Sequence, residues 1–400
     1  MHTLLIDDDP FALKTLARQL EQLGCAQITL RERAQDALLL LESELESIDL
    51  VFCDLQMPDI DGVEFVRNLA RSNYRGGLVL VSGEEGRILN TVHKLAQAHR
   101  IHVIAALPKP VSSERLRQVL ADATSRRATA PSAKRAELAP HELEQAIEEG
   151  QLVNYYQPKV SLVTGQLVGA EALVRWRHPN AGLVFPDRFI AMAEEHGLID
   201  RLTDNVLVAA LRQARLWHDA GLLLDVSVNV SMDNLVALEF PDAVARLADD
   251  AGVALSRVML EVTESRLMND LRAPLDILTR LRLKRVGLSI DDFGTGHSSL
   301  AQLRDIPFDE LKLDRSFVNG AANDPALRAI VEASLAMARQ LGMKSVAEGI
   351  EDRADWDFLR ALGCDVAQGY FIARPMPAPD FTAWHAGWEV RRGDLAASTQ

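Results

Sequence analysis

The sequence predicts two α/β domains, an N-terminal doubly wound parallel sheet and a C-terminal (β/α)8 barrel of the TIM type. Short apolar runs alternate with helical stretches over residues 1–123. Over residues 141–395 apolar runs recur at longer intervals with helices between them, as they do in a barrel. Residues 124–140 lose this periodicity and are rich in Ser, Arg, Ala, Thr, Pro and Lys, which predicts a solvated linker between the domains.

The first domain is predicted from four apolar runs that lie between helical segments. The runs span residues 4–6, 50–53, 78–81 and 102–107, and helical periodicity appears in residues 11–23 and 63–70. Alternation of this kind is typical of βαβ units and hence of a parallel sheet. In such a sheet the functional crevice lies at the carboxyl ends of the strands.

Acidic residues collect at the ends of these predicted strands. Asp7 and Asp8 follow the first run, and Asp54 follows the run at residues 50–53. Three carboxylates at one edge repel one another by a few kcal/mol per pair at an effective dielectric of about 20, so they imply a bound divalent cation. Oxygen ligands favour Mg²⁺. Ser82 and Lys109 end two further strands with a hydroxyl and a long cation, and the five residues together predict a carboxylate that accepts a phosphoryl group.

In the second domain a polar residue ends nearly every apolar run. These residues are Glu171, Asn229, Glu261, Asp291, Lys312, Glu348 and Gln368. Because the carboxyl ends of barrel strands face the active site, we expect these side chains to converge on one small volume. Carboxylate and amide oxygens specify Mg²⁺ or Mn²⁺ rather than Zn²⁺. The doubled Asp291-Asp292 can hold one metal with each carboxylate, which predicts a two-metal site for phosphoryl chemistry.

The composition excludes several classes of function. The chain has 400 residues and a formal net charge of −14. This charge disfavours electrostatic attraction of the protein as a whole to DNA or to an anionic membrane. No stretch approaches the roughly 18 uncharged apolar residues of a membrane span, so we expect no membrane insertion. The three cysteines show no paired spacing, which argues against disulfides and a zinc site and predicts a reducing, cytoplasmic location.

Residues 1–123 resemble the receiver domain of response regulators, because Met57-Pro58 and Asp61-Gly62 complete the loop after Asp54. The resemblance implies a flavodoxin-like fold, a two-component signalling system and a cognate sensor histidine kinase. The implied roles are metal binding for Asp7 and Asp8, phosphorylation for Asp54, and phosphoryl sensing for Ser82 and Lys109. Ala106 departs from the family, which usually carries an aromatic switch residue at this position.

The second domain resembles the EAL phosphodiesterase family over residues 141–388. The motifs that carry the resemblance are Gln157-Pro158-Lys159, Glu171-Ala172-Leu173 and Asp291-Asp292-Phe293-Gly294. Membership of this family implies hydrolysis of cyclic di-GMP to the linear dinucleotide pGpG, with two Mg²⁺ or Mn²⁺ ions in the barrel and one in the receiver.

The resemblance also implies a role for each matching position. Glu171, Asn229, Glu261 and Asp291 would ligate the first metal, and Asp291, Asp292 and Glu348 the second. Glu348 would be the general base, and Lys312 would hold the attacking water or stabilise charge. Gln157, Arg175, Glu351 and Gln368 would contact the dinucleotide. Glu264 would anchor the loop at residues 293–300, which in the family couples substrate, metals and subunit contact, so we expect a homo-oligomer. His297 stands in that loop where the family more often has Tyr.

Three alternatives remain at this stage. An EAL domain without turnover would only sense cyclic di-GMP, but such domains lack some of the metal or base residues, and all are present here. An enolase-type lyase also gathers acids and a lysine around Mg²⁺, but the three EAL motifs argue against it. In the third alternative the receiver serves only for assembly and is never phosphorylated, which the intact phosphoryl site opposes and Ala106 favours.

Overall fold

The computed structural model describes residues 1–43, 48–72, 74, 76–83, 91–92, 95–96, 101–129, 138–263, 272–294 and 300–397. The chain divides into two compact units, Met1–Arg135 and Ala136–Gln400. The domain limits at residues 123 and 141 stay predictions.

The first unit is a five-stranded parallel sheet with helices on both faces. Its strands are β1 (His2–Ile6), β2 (Gln27–Arg31), β3 (Leu50–Asp54), β4 (Gly77–Ser82) and β5 (His102–Pro108). Its described helices are α1 (Pro10–Gln22), α2 (Ala34–Ser43), α3 (Gly62–Arg71) and α4 (Ser113–Thr129). The strand order is β2-β1-β3-β4-β5, and every pairing is parallel. This confirms the predicted doubly wound sheet.

The burial of each strand explains the sequence pattern. β1, β3 and β4 are buried along their whole length, as continuous apolar runs in a covered parallel sheet should be. Short polar residues start the helices directly after the strands. The Asp9 carboxylate accepts a hydrogen bond from the Phe11 amide at the start of α1, and Asp61 accepts one from Glu64 at the start of α3. The chain leaves β1 towards β2 on one side and β3 lies on the other, so a crevice opens at their carboxyl ends.

The second unit contains the remaining strands. They are β6 (Leu152–Ser161), β7 (Leu167–His178), β8 (Gly182–Val184), β9 (Asp225–Val230), β10 (Val258–Thr263), β11 (Gly287–Phe293), β12 (Glu310–Leu313), β13 (Lys344–Ala347), β14 (Val366–Ala367) and β15 (Met376–Pro377).

The helices of this unit lie between the strands and at the two ends of the barrel sequence. They are α5 (Pro140–Glu148), α6 (Ile190–Glu195), α7 (Ile199–Asp219), α8 (Phe240–Ala251), α9 (Arg272–Leu283), α10 (Leu300–Asp305), α11 (Arg315–Val318), α12 (Pro325–Gln340), α13 (Arg353–Ala361) and α14 (Ala378–Ala397). Short 3₁₀ helices span Pro186–Arg188, Met232–Val236 and Leu255–Arg257. No described helix has both the length and the apolar character needed to cross a membrane.

Eight strands close into a barrel in the order β6-β14-β13-β12-β11-β10-β9-β7, and β6 pairs with β7 to complete the ring. This confirms the predicted barrel, with one variation. β6 runs antiparallel to both of its barrel neighbours, whereas the other seven strands are mutually parallel. The connection from β6 to β7 spans only residues 162–166, which is too short for the crossover that parallel neighbours need.

Candidate functional site

The predicted polar residues converge at one mouth of the barrel, and all but Glu171, which lies in the first half of β7, sit in the second half of their strands or directly after them. Glu171 lies on β7, Asn229 on β9, Glu261 on β10, Asp291 on β11 and Lys312 on β12. Glu348 follows β13 directly, and its backbone amide donates to the carbonyl of Leu313. Parallel pairing sets Asn229 beside Glu261 in register. The strand-end pattern read from the sequence therefore corresponds to a real convergence of side chains.

Lys312 lies at the centre of this cluster. Its side chain is 1% exposed, and its Nζ lies 2.5 Å from Glu261 Oε2, 2.6 Å from Glu348 Oε1, 3.1 Å from Asp291 Oδ1 and 3.5 Å from Glu171 Oε2. One ammonium thus faces four carboxylates. The excess negative charge favours binding of further cations from the mouth.

Amide groups fix the orientation of Glu171. Asn229 Nδ2 donates to Oε1 at 2.7 Å, and Gln368 Nε2 donates to Oε2 at the same distance. The Gln368 amide also donates to Gln157 Oε1 at 3.0 Å, which brings two predicted substrate-binding residues together. Gln368 Oε1 is buried and has no hydrogen-bond partner within the described part of the chain. It is therefore an acceptor that a ligand can use.

The strand β11 is irregular where it carries the doubled acid. Its pairing with β12 shifts register between Ile290 and Phe293, and Asp292 has φ of 54°, in the left-handed region. In a regular strand consecutive side chains point to opposite faces. Here Asp291, Asp292 and Glu348 each place a carboxylate oxygen within 4.8 Å of the others. Such a set of hard oxygens fits a divalent cation.

Burial and mutual repulsion raise the proton affinity of several acids in the cluster. Burial, followed by the charges of Asp291 and Asp314, raises the pKa of Asp292 to about 6. Burial also raises the pKa of Glu348 well above its ordinary value, although Lys312 opposes the change. Both shifts arise first from burial, which disfavours the charged carboxylate, and then from the charges of neighbouring acids.

Two cavities adjoin the cluster. One of about 450 Å³ has Glu171, Asn229 and Asp291 on one side and an apolar wall on the other, formed by Leu173, Val174, Pro186, Ile190, Ile199, Leu202 and Val206. The other, of about 210 Å³, is lined by Gln157, Glu171, Leu173, Asp291, Arg315, Glu348, Gly349, Glu351, Gln368, Gly369 and Tyr370. The acids therefore lie between an apolar recess and a polar one.

The first unit carries a smaller acidic site in the crevice between β1 and β3. Asp7, Asp8 and Asp54 each place an oxygen within 4.8 Å of the others, which fits one divalent cation. Lys109 Nζ lies 2.6 Å from Asp7 Oδ2 and 2.9 Å from Asp54 Oδ2. Burial raises the pKa of Asp54, and Lys109 opposes the change. Ser82 is buried at the end of β4, and its carbonyl accepts from the Lys109 amide at 2.8 Å.

Comparison with known protein families finds a match for each of the two units. The EAL domain model matches residues 141–375, more than half of the chain. The chain belongs to the EAL domain family. A response regulator receiver domain matches residues 3–121. This confirms both resemblances seen in the sequence.

Several relatives share this EAL domain. "Cyclic di-GMP phosphodiesterase RocR" of Pseudomonas aeruginosa is 31% identical over 389 residues, which cover 97% of this chain and 99% of RocR. MucR of the same organism, a bifunctional diguanylate cyclase/cyclic di-GMP phosphodiesterase, is 47% identical over 250 residues, covering 61% of this chain and 36% of MucR. The chain therefore spans about a third of MucR but nearly all of RocR.

Solved EAL structures have the same fold. The MucR phosphodiesterase in complex with c-di-GMP superposes with a TM-score of 0.57 at 45% identity, over 60% of this chain and 98% of that one. The EAL enzyme Bd1971, in its form with cAMP and cyclic di-GMP bound, gives a TM-score of 0.59 at 28% identity, over 68% of this chain and 75% of that one.

Four further residues that the sequence singles out in the EAL domain are Arg175, Glu264, His297 and Glu351. Glu264 and His297 lie outside the described residues. Arg175 is buried on β7, where its guanidinium lies 4.9 Å from the Phe185 ring centroid and 5.7 Å from that of Tyr155. It is not among the described residues that line the two cavities. Glu351 lines the smaller cavity.

The EAL fold also brings to the site residues that the sequence did not predict there. One of them is Lys159 of the Gln157-Pro158-Lys159 motif, whose Nζ lies 2.6 Å from Glu261 Oε1. Burial opposes ionisation of Glu261, but Lys159 and Lys312 outweigh it and lower the pKa of this carboxyl to about 2. Tyr370 and Arg315 line the smaller cavity. Tyr370 lies two residues after Gln368, and this position close to a predicted substrate-binding residue is a signal in the sequence that could have identified it.

Proposed function

We propose that this protein is a cyclic di-GMP phosphodiesterase that hydrolyses one phosphodiester bond to give pGpG. The observation that carries the proposal is the convergence of four carboxylates around Lys312 at the mouth of an EAL barrel, between two cavities. The names of RocR and MucR, which describe cyclic di-GMP phosphodiesterases, agree with it.

The donor set fits two divalent metal ions, Mg²⁺ or Mn²⁺. Glu171, Asn229, Glu261 and Asp291 would hold one, and Asp291, Asp292 and Glu348 the other. When bound, such ions supply charge neutralisation at the phosphate and acidify a water molecule. The oxygen-only ligands and the uncompensated negative charge of the cluster support this assignment.

The chain's own groups perform the proton transfer and stabilise charge. Glu348 takes a proton from the attacking water, whose oxygen bonds to phosphorus as the bond to a ribose 3′ oxygen breaks. The departing oxygen is protonated from solvent. Lys312, with its Nζ 2.6 Å from Glu348 Oε1, stabilises the charge that develops on the phosphate.

The two cavities are suited to the two halves of a dinucleotide. The apolar wall of the larger cavity can contact the flat face of a base, and the smaller cavity offers polar groups from Gln157, Glu351 and Gln368. The buried Oε1 of Gln368 is an acceptor for a base or ribose donor. Arg175 on β7 would also contact the dinucleotide, as the resemblance to the EAL family implies.

For the receiver we propose that Asp54 accepts a phosphoryl group from a sensor histidine kinase, with one Mg²⁺ held by Asp7, Asp8 and Asp54. The contact of Lys109 with Asp54 supports this role, because its ammonium can pair with a phosphoryl oxygen. Phosphorylation would then change phosphodiesterase activity through contacts within the chain or with another subunit of a homo-oligomer.

The test is hydrolysis of cyclic di-GMP by the purified full-length protein, with the product identified by chromatography and mass spectrometry. We expect pGpG with Mg²⁺ or Mn²⁺ and none in excess chelator. Binding of cyclic di-GMP without any turnover under these conditions would overturn the proposal and favour the sensor alternative. An altered product would overturn the assignment of the broken bond.

A further inference from the structure

A second lysine lies inside the barrel, below the acidic cluster. Lys159 Nζ lies 2.6 Å from Glu261 Oε1, 2.8 Å from Ser227 Oγ and 3.2 Å from Glu310 Oε1, and the lysine side chain is 5% exposed. Its three partners belong to β10, β9 and β12. An ammonium so buried requires several partners, and here it has them.

The position of Lys159 along the barrel axis follows from its neighbours. It lines a cavity of about 240 Å³ together with Asp225, Glu310 and Lys344, which are the first residues of β9, β12 and β13. This cavity therefore lies at the amino ends of the strands, opposite the mouth that carries Lys312. Ser289 Oγ donates to Glu310 Oε1 at 3.0 Å, so this oxygen accepts from both Lys159 and Ser289.

Glu261 lies between the two lysines and is fully buried. Its Oε1 accepts from Lys159 and its Oε2 from Lys312, at 2.6 Å and 2.5 Å. Because Lys159 holds Glu261 Oε1, the carboxylate cannot rotate without breaking this buried charged hydrogen bond. Breaking such a bond costs substantial free energy. The other oxygen is thereby turned towards the mouth.

We propose that Lys159 is a positioning residue of the active site, which holds Glu261 by Oε1 so that Oε2 is presented to the metal-binding cluster. The inference rests on the proposed function in that Glu261 is a proposed metal ligand. Lys159 itself contacts neither metal nor substrate. It acts on the site only through Glu261.

Two explanations of Lys159 predict opposite changes in metal affinity. If the lysine were only a nearby positive charge, its removal would make the barrel interior more negative and strengthen binding of a divalent cation. If it positions Glu261, its removal weakens binding because the ligand loses its orientation. The direction of the change separates the explanations.

The experiment measures Mn²⁺ binding to the full-length protein by electron paramagnetic resonance, which does not depend on activity. All variants carry Asp8→Asn to weaken the receiver site. Lys159→Met should raise the Mn²⁺ dissociation constant of the barrel by about tenfold or more and lower kcat at saturating Mn²⁺ by a similar factor. The matched control is Lys344→Met, an exposed lysine of the same cavity, which should leave both values unchanged.

A double variant separates positioning from simple loss of charge balance. Lys159→Met leaves the Glu310 carboxylate without its lysine, and this can destabilise the fold. Lys159→Met/Glu310→Gln removes that charge, so it should recover melting temperature while Mn²⁺ affinity stays low. Wild-type or tighter Mn²⁺ binding by the folded double variant would overturn the inference. Mn²⁺ binding can be measured even if the wild type fails to hydrolyse cyclic di-GMP. Failure of the positioning inference can therefore be distinguished from failure of the proposed function.

Discussion

The EAL domain and the receiver each gather acids around a lysine at the carboxyl ends of parallel strands, but they do so to different depths. Lys312 is 1% exposed and faces four carboxylates, whereas Lys109 is 31% exposed and contacts two. A closed barrel supplies ligands from all sides, while an open sheet supplies them from one edge. The first arrangement suits chemistry that needs a fixed geometry, and the second suits a group that is added and removed.

Among the substitutions that test the catalytic role of the buried EAL cluster, Glu348→Gln should lower kcat the most. Glu348→Gln should lower kcat for cyclic di-GMP by about 10³-fold, within the range of about 10²–10⁴ for a general base. Substrate should still bind in the presence of metal, because most phosphate contacts survive. Single-turnover assays and calorimetry measure the two effects. The control is Glu332→Gln, on the exposed face of α12. Near wild-type hydrolysis by Glu348→Gln would exclude it as the base.

Lys312 of the EAL domain and Lys109 of the receiver provide the next comparison. Lys312→Ala should cost about 10²-fold or more in rate and much less in substrate affinity. It also leaves buried carboxylates unpaired, so the EAL domain should lose about 3–5 kcal/mol of unfolding free energy. Lys109→Ala should destabilise the receiver by less, because Lys109 is partly exposed and has fewer partners. Calorimetric unfolding of both variants tests this. Equal losses of unfolding free energy would contradict the inference that Lys312 is more deeply buried and more strongly paired than Lys109.

Metal exchange tests how strictly the barrel fixes its ligands. Mg²⁺ and Mn²⁺ should support hydrolysis, whereas Ca²⁺ should bind and inhibit. Calcium takes longer bonds and a looser coordination, and a misplacement of about 1 Å can cost about 10²-fold in rate. Steady-state assays with each ion, and with Ca²⁺ competing against Mg²⁺, measure the effect. Robust turnover with Ca²⁺ as the sole divalent ion would show that the site is less rigid than its geometry indicates.

Coupling between the domains should give the smallest effect. Beryllofluoride, a phosphoryl mimic, should change the phosphodiesterase rate of the wild type but not of Asp54→Asn. An allosteric coupling of about 1–3 kcal/mol corresponds to about 5- to 150-fold. The assay measures initial rates over a range of substrate concentrations up to saturation, at saturating Mg²⁺, with mimic binding measured separately. If the mimic binds and alters neither kcat nor KM, the receiver serves assembly, as the missing aromatic at Ala106 would suggest.

The sequence predicted the strand-end residues because strand polarity and position are local properties. Glu171, Glu261 and Lys312 follow from apolar runs that end in a charge, and the structure brings them together. Lys159 could not be assigned in the same way. Its partners Glu261 and Glu310 lie 102 and 151 residues away, and only barrel closure brings them within hydrogen-bonding distance.

Two further features depend on geometry that residue types do not encode. The left-handed backbone at Asp292 aims two consecutive carboxylates at one site, and a regular strand would have separated them. The apolar wall of the larger cavity is formed partly by Ile199 and Leu202 of α7, which look like ordinary core residues in the sequence. Their role depends on where α7 lies against the barrel.

The antiparallel strand β6 has a consequence for synthesis of the chain on the ribosome. β6 pairs with β7, the next strand along the chain, but its other barrel neighbour, β14, begins only at Val366. Until β14 emerges, the backbone donors and acceptors on one edge of β6 have no barrel partner. Such an edge can pair with other nascent chains, so the interval before ring closure is when this domain is most exposed to aggregation.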